Sequence, residues 1–142
     1  MVERPSGNNK NKGGNTIMKI HTGNIVINIP RDEAFAYIAK YENIPKWSKN
    51  FILKLDRTGN EYTATTPVGK MKFEMAADEK NGVIDLLLDG KPLPTRVIAL
   101  GPQTTLYLFT LILPPDLPEE EFQGGIKGLE EELQLLKEQL EK

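Results

Sequence analysis

Few side chains in this sequence could do acid–base chemistry. His21 is the one histidine, and imidazole is the only side chain whose ordinary pKa lies near neutrality, so it is the nominal proton carrier. Its place ahead of the first apolar run, beside a polar amino-terminal stretch, argues against that work. Asp85 and Arg96 flank the segment LLLDGKPLPT. A turn centred on Gly90-Lys91 would set them opposite one another across a hairpin, on one face. On an inner face the arginine would keep the carboxylate ionised and could grip an anionic or carbonyl group. On an outer face Ile84, Leu86 and Leu88 would point inward, and the pair would be a surface ion pair worth little. Asp85 and Arg96 are the candidates for catalysis, without an assigned step. Tyr62 and Tyr107 could orient a ligand carbonyl by hydrogen bonding; as acids they would need strong tuning from a pKa of about 10.

Much other chemistry is excluded. The chain has no cysteine, which removes disulfides, thiolate ligands and a cysteine nucleophile. No serine sits in a nucleophile-elbow pattern, no glycine-rich loop resembles a phosphate cradle, and no clustered acids suggest a metal. Neither a metal nor a cofactor is expected. Lysine and arginine number 18 against 20 aspartates and glutamates, a net charge of -2, without the broad positive field that nucleic acid would require. No apolar run reaches the length of a membrane span, and the first residues lack the apolar stretch of a secretory signal, so a soluble, cytoplasmic protein is expected.

The elements that must position these residues follow from spacing. At 142 residues the chain has the length of one domain, expected over residues 18–142. Residues 1–17 carry Arg4, Lys10 and Lys12 against Glu3 and almost no aliphatic side chains. Such a stretch cannot repay the entropy of ordering and is expected to be a disordered tail. TGNIVINIP alternates Ile25, Ile27 and Ile29 with Asn24, Val26 and Asn28, the period of a half-buried strand. RDEAFAYIAKYE switches to helical spacing, with Pro30 near the first helical position and Asp32 and Glu33 in the first turn. NIPKWSKNF predicts a second short helix ended near Pro45 and Trp47. Six further apolar runs, FILKLDR, EYTATT, KMKFEMA, VIDLLL, TRVIAL and TTLYLFTLIL, are separated by short glycine, proline or asparagine turns. Such turns suit antiparallel hairpins, since parallel strands need crossovers of a dozen residues or more.

The last stretch reads as a helix of about 37 Å. Asp116 and Glu119 are spaced as a capping box, and Glu119, Glu120 and Glu121 complement the positive helix end. Phe122, Ile126, Leu129, Leu133, Leu136 and Leu140 form one apolar stripe. The stripe is short for a coiled coil, so the sheet is its expected partner, giving an α+β layer architecture. Gly124, Gly125 and Gly128 weaken the first half of this helix by roughly 1 kcal/mol each. Either they leave room for a ligand portal beside Phe122 and Ile126, or they sit where the helix packs too closely on a strand for a Cβ.

The order of strand, two short helices, six strands and long helix resembles the helix-grip fold of the START/SRPBCC superfamily, over about residues 19–142. INIPRDEAFAYIAKYENIPKW resembles its opening strand, proline, helix and P-x-W turn. TPVGKMKF, GVIDLLL, PTRVIALG and LYLFTLILPP resemble successive strands of its small bacterial, polyketide cyclase/dehydrase-like members, and LEEELQLLKEQLE their closing helix. The resemblance implies a seven-stranded curved antiparallel sheet wrapped around the long C-terminal helix, two short helices after strand one, and a deep apolar cavity between sheet and helix. Superfamily members carry lipids, sterols, hormones or polyketides there; a minority cyclise or dehydrate polyketides, and some relatives act as co-chaperones.

On these grounds the expected activity is binding of a small hydrophobic ligand such as a lipid, polyketide or aromatic-like molecule, without catalysis. A polyketide cyclase/dehydratase-type enzyme and a protein-interaction module are the alternatives. Alternation predicts the lining: Phe51, Leu53 and Leu55 on one strand, Tyr62, Ala64 and Thr66 on the next, Met71, Phe73 and Met75 on the third. Opposite lie Phe122, Ile126 and Leu129 of the helix. Tyr107 and Phe109 of the last strand, Trp47 of the turn and Arg96, if it faces inward, complete the expected site. Leu106, Leu108 and Ile112 make the last strand apolar on its other face too, so it is either covered on both sides or the contact of a homodimer.

Overall fold

The computed structural model describes residues 17–142. The expected tail lies outside them, apart from Ile17. Strand β1 (Lys19–Ile27) leads into α1 (Arg31–Ile38), a turn of 3₁₀ helix (Tyr41–Asn43) and α2 (Ile44–Trp47). Then come β2 (Lys54–Thr58), β3 (Glu61–Thr66), β4 (Gly69–Asp78), β5 (Val83–Leu88), β6 (Lys91–Gly101), β7 (Thr104–Leu113) and α3 (Glu119–Leu140). All neighbouring strands are antiparallel, in the order β1-β7-β6-β5-β4-β3-β2. The first strand thus joins the last, and every other pair is a simple hairpin, as the short turns require.

Period-two patterning decides which face is covered. Ile27 of β1, Ala64 of β3, Phe73 of β4, Ile84, Leu86 and Leu88 of β5, Leu93 and Val97 of β6, and Tyr107 and Phe109 of β7 are buried on the inner face. They form one cluster with Phe35 and Ile38 of α1, Ile44 and Trp47 of α2, and Leu129, Leu133 and Leu136 of α3. Pro30, extended at φ -61° and ψ 146°, turns the chain from β1 into α1. No side-chain hydrogen bond caps α3, whose first turn follows Pro118, so Asp116 does not form the expected capping box. The three glutamates at 119–121 still favour that helix end electrostatically.

Helix α3 runs alongside β1 in the same direction. Lys19 pairs with Glu119 at 3.3 Å, Lys137 donates to the Val26 carbonyl at 2.7 Å, and the Asn28 N–H donates to Glu141 at 2.7 Å. Midway, Gly23 lets the two elements approach: a Cβ there would stand 2.9 Å from Leu129 Cδ2. A side chain here, on the strand rather than the helix, would make the ends of Leu129 and Leu133 shift.

Candidate ligand-binding interior

The interior lies between the inner face of the sheet and α3, closed on one side by α2 and the loop that follows it. Its inner end is aromatic. Trp47, 1% exposed, packs edge to face on Tyr107 at 6.2 Å between centroids and on Phe109 at 6.5 Å. Tyr107 and Phe109 meet at 6.5 Å. Edge-to-face stacking suits the ring quadrupoles, but it leaves polar atoms inside the core. Neither Trp47 Nε1 nor the Tyr107 hydroxyl has a hydrogen-bond partner. The Thr95 hydroxyl beside Tyr107 donates to the Ile84 carbonyl at 2.6 Å and keeps lone pairs turned to the tyrosine. Burial pushes the Tyr107 pKa up, Thr95 pulls weakly the other way, and the charge of Glu132 adds to the rise.

Glu132 is the one acid in the core, 4% exposed. It accepts the Asn50 N–H at 2.7 Å and faces the Ser48 hydroxyl at 3.5 Å. Asn50 also donates through its side chain to the Gly128 carbonyl at 3.1 Å. The Ser48–Phe51 loop is thereby fastened over α3. Loss of solvation raises the Glu132 pKa to about 7, against the lowering effect of the Asn50 and Phe51 N–H groups and the Ser48 hydroxyl; the neighbouring charge of Glu131 adds to the rise. Sequence reasoning passed over this residue, although position 132 falls three after Leu129 and four before Leu136, inside the apolar stripe.

The side of the interior away from α3 is covered by Tyr41, also missed because it lies in an irregular turn. Its ring stacks on Tyr62 at 4.0 Å and 7° and meets Phe73 edge-on at 5.8 Å. Its hydroxyl accepts the Met75 N–H at 2.9 Å. The other end is less closed. Phe122 and Ile126 of α3, Leu111 of β7, Met71 of β4 and Phe51 are half-buried. His21 pairs with Leu111 in β1 and shares the face of Gly23 and Ile25, so it stands in the sheet near this end rather than ahead of it.

The expected site residues thus separate. Trp47, Phe73, Tyr107, Phe109 and Leu129 are buried in the core, while Phe51, Tyr62, Met75, Phe122 and Ile126 are half-buried at its margins. Leu53 and Arg96 do not fit. β2 begins only at Lys54, Ile52 rather than Leu53 turns into the core, and Leu53 is 52% exposed. Asp89 and Gly90, with φ of 50° and 80°, make the β5–β6 turn one residue earlier than expected. That slides the register by two, so Asp85 opposes Pro94 and Arg96 opposes Val83. Both lie on the outer face, where Arg96 is exposed and Ile84, Leu86 and Leu88 take the inward positions. Among the described residues no three histidine, aspartate or glutamate side chains gather to hold a metal ion, and no helix is long and apolar enough to cross a membrane. Two surface hollows lie elsewhere, along the outer face of α3 by Lys127 and Glu131 and at the foot of α1 by Tyr37 and Leu140.

No family model matches the chain, and no curated protein is similar to it in sequence. Solved structures are similar in fold. The Zhui aromatase/cyclase from a Streptomyces species superposes with a TM-score of 0.70 at 13% identity, over 88% of this chain and 94% of that one. A START superfamily protein from Mycobacterium smegmatis gives 0.63 at 14%, covering 86% and 97%. The Aha1 dimer from Colwellia psychrerythraea gives 0.64 at 15%, covering 87% and 97%. At such identities the likeness concerns the fold alone, and it agrees with the strand order and closing helix described above: the chain has a helix-grip fold, as these structures do.

Proposed function

We propose that the protein binds a small hydrophobic molecule, a lipid, polyketide fragment or aromatic-like compound, between the sheet and α3. The observation that carries this reading is the graded burial of the α3 stripe. Leu129, Leu133 and Leu136 are buried in the core, whereas Phe122 and Ile126 of the same stripe remain half-exposed. Apolar area left wet at one end of a concave face is what a ligand would gain by covering. The fold it shares with a START superfamily protein and an aromatase/cyclase supports the reading. No chemical step is assigned. The pair once eligible for one, Asp85 and Arg96, sits on the outer face. Protein purified without detergent and measured by native mass spectrometry is expected to carry co-purified lipophile. Repeatedly empty protein, with no thermal shift across a lipophile panel, would count against ligand binding.

The outer face supports a second, compatible property. Leu106 of β7 is flanked by Val26 of β1, 41% exposed, and by Ile98 of β6, while the half-buried Leu108 lies between Asn24 and Arg96; Ile20 and Leu100 are exposed on the neighbouring strands. Such a patch suits a homodimer contact, and one structural neighbour is a dimer. Sedimentation of the wild type and Leu108→Lys tests it: a dimer lost in the variant is expected, and a monomer in both rejects it.

A further inference from the structure

The Ser48–Phe51 loop is a short strap between two buried anchors, Trp47 and Ile52. Its inward fastening to α3 is a single group. The Glu132 carboxyl accepts the Asn50 N–H at 2.7 Å on one oxygen and faces the Ser48 hydroxyl at 3.5 Å with the other. The bonds from the Asn50 side chain to the Gly128 carbonyl and to Glu131 lie on the exposed rim. The dependence runs both ways. Glu132 is buried, and the donors that reach it, from Ser48, Asn50 and Phe51, all belong to the strap. Among the described residues no ion pair joins it to a cation. Its charged and titratable neighbours supply none: Glu131 on the same helix adds negative charge, and Tyr107 of β7 is a neutral phenol. His21 of β1 shares the face of Gly23, while Lys46 of α2 and Lys49 of the strap are exposed. A buried carboxylate that has hydrogen bonds but no counter-charge is less well solvated than in water. A neutral carboxyl fits the same contacts, with Oε2 accepting from Asn50 and Oε1–H donating to Ser48 Oγ.

We propose that the Ser48–Phe51 strap is a pH-operated latch: the neutral Glu132 carboxyl holds it shut on α3, and loss of that proton to water releases it. Shut, the strap keeps Glu132 in the core. Lifted, it lets water reach the carboxylate, so ionisation and opening favour one another. With the strap shut, burial keeps the proton on Glu132 up to about pH 7, whereas a hydrated glutamate gives it up near 4.5. Closure is therefore firmest below about pH 4.5 and weakens as pH rises toward 7. Opening uncovers the flank of the interior that α2 and the strap close, beside the half-buried Phe51. The latch does not depend on the ligand-binding reading above.

Two readouts on the full chain test it. The Glu132 carboxyl resonance, followed by carbon NMR, is expected to titrate near pH 7. Amide exchange of Asn50, Phe51 and Ile52 is measured alongside, as protection relative to the intrinsic rate at each pH. The Val97 amide, bonded to the Gly82 carbonyl at 2.7 Å in the core, is the reference for opening of the whole domain. Protection of the strap is expected to fall on the order of fiftyfold from about pH 5 to about pH 8, and to stay below that of Val97 throughout. Glu132→Gln keeps an acceptor for Asn50 and a donor for Ser48 but does not titrate, so its strap protection should vary less than about threefold over the same interval. A carboxyl that titrates near 4.5 overturns the latch. Strap protection equal to that of Val97 also overturns it, because the strap would then open only with the whole domain. So does a variant that keeps the wild-type pH dependence. Should Glu132→Gln fail to fold, the carboxyl titration and the comparison with Val97 in the wild type still decide.

Discussion

Between Leu129 and Glu141, α3 buries Leu129, Leu133 and Leu136 and is tied to three elements: Lys137 to β1, and Gln139 to both the Lys46 carbonyl and the Tyr37 hydroxyl. Between Glu119 and Gly128 the same helix keeps Phe122 and Ile126 half-exposed, contains three glycines, and is held by the exposed Lys19–Glu119 pair and by Asn50 on the Gly128 carbonyl. The inner-stripe pattern is the same in both halves, so hydrophobic spacing alone does not separate them. Local helix propensity and burial do, and on these grounds the first half is expected to be the less stable of the two.

The contrast is broken most severely by emptying the buried half. Leu133→Ala is expected to cost about 3 kcal/mol in urea unfolding, within the usual span for buried leucines, and Ile126→Ala about 1 kcal/mol or less. Similar losses at the two positions would mean that the first half is as firmly packed as the second.

Glu132 sharpens the comparison through pH. Its pKa rises on folding from an ordinary 4.5 to about 7, so the folded state holds a proton that the unfolded state gives up. Its contribution to stability is thus fully present below about pH 4.5, falls through the interval, and is gone above about pH 7, a difference of roughly 3 kcal/mol. Glu132→Gln should be flatter than wild type across that window and relatively more stable at pH 8. A difference between the two that does not vary with pH would show that the carboxyl titrates normally.

The glycines probe the less stable half directly. A Cβ at Gly124 would meet nothing within 4 Å, at Gly125 only Leu113 at 3.7 Å, and at Gly128 only the Asn50 side chain at 3.5 Å. Close packing therefore does not demand glycine at any of the three. Replacing all three by alanine is expected to raise stability by about 2 kcal/mol, somewhat under the sum of their propensities, and to slow ligand uptake. Severe destabilisation would restore close packing; a stabilised helix with unchanged uptake would remove the portal.

The smallest effect is expected at Tyr107. Removing a hydroxyl that has no partner should leave the ligand-free protein within about 0.5 kcal/mol of wild type or make it slightly more stable, where loss of a satisfied hydroxyl costs about 1 kcal/mol. A clear drop in melting temperature for Tyr107→Phe would mean that the hydroxyl is bonded in the free protein.

What could be read from the sequence divides along physical lines. The alternation of Ile25 and Ile27, the aspartate and glycine turns and the stripe from Phe122 to Leu140 are local periodicities, and they carry the strand order and the closing helix with them. Leu53 was misplaced because periodicity cannot locate where a strand starts: the chain turns at Ser48–Phe51 under the pull of Glu132 before β2 begins at Lys54. Asp85 and Arg96 were misplaced by one residue of turn position, which moves a register by two. Tyr41 and the unpaired donors on Trp47 and Tyr107 depend on contacts between distant segments, for which no local pattern exists. Glu132 was within reach, as a lone acid on the apolar side of a helix.

The central claim is that ligand reaches the interior beneath the first half of α3. Native-state amide hydrogen exchange, read residue by residue with and without a lipophile that shifts the melting temperature, tests it most directly. The account predicts that amides from Phe122 to Gly128 exchange at least tenfold faster than those from Glu132 to Gln139 in the free protein, and slow selectively when the ligand binds. Even protection along α3, or slowing confined to its second half, would contradict it.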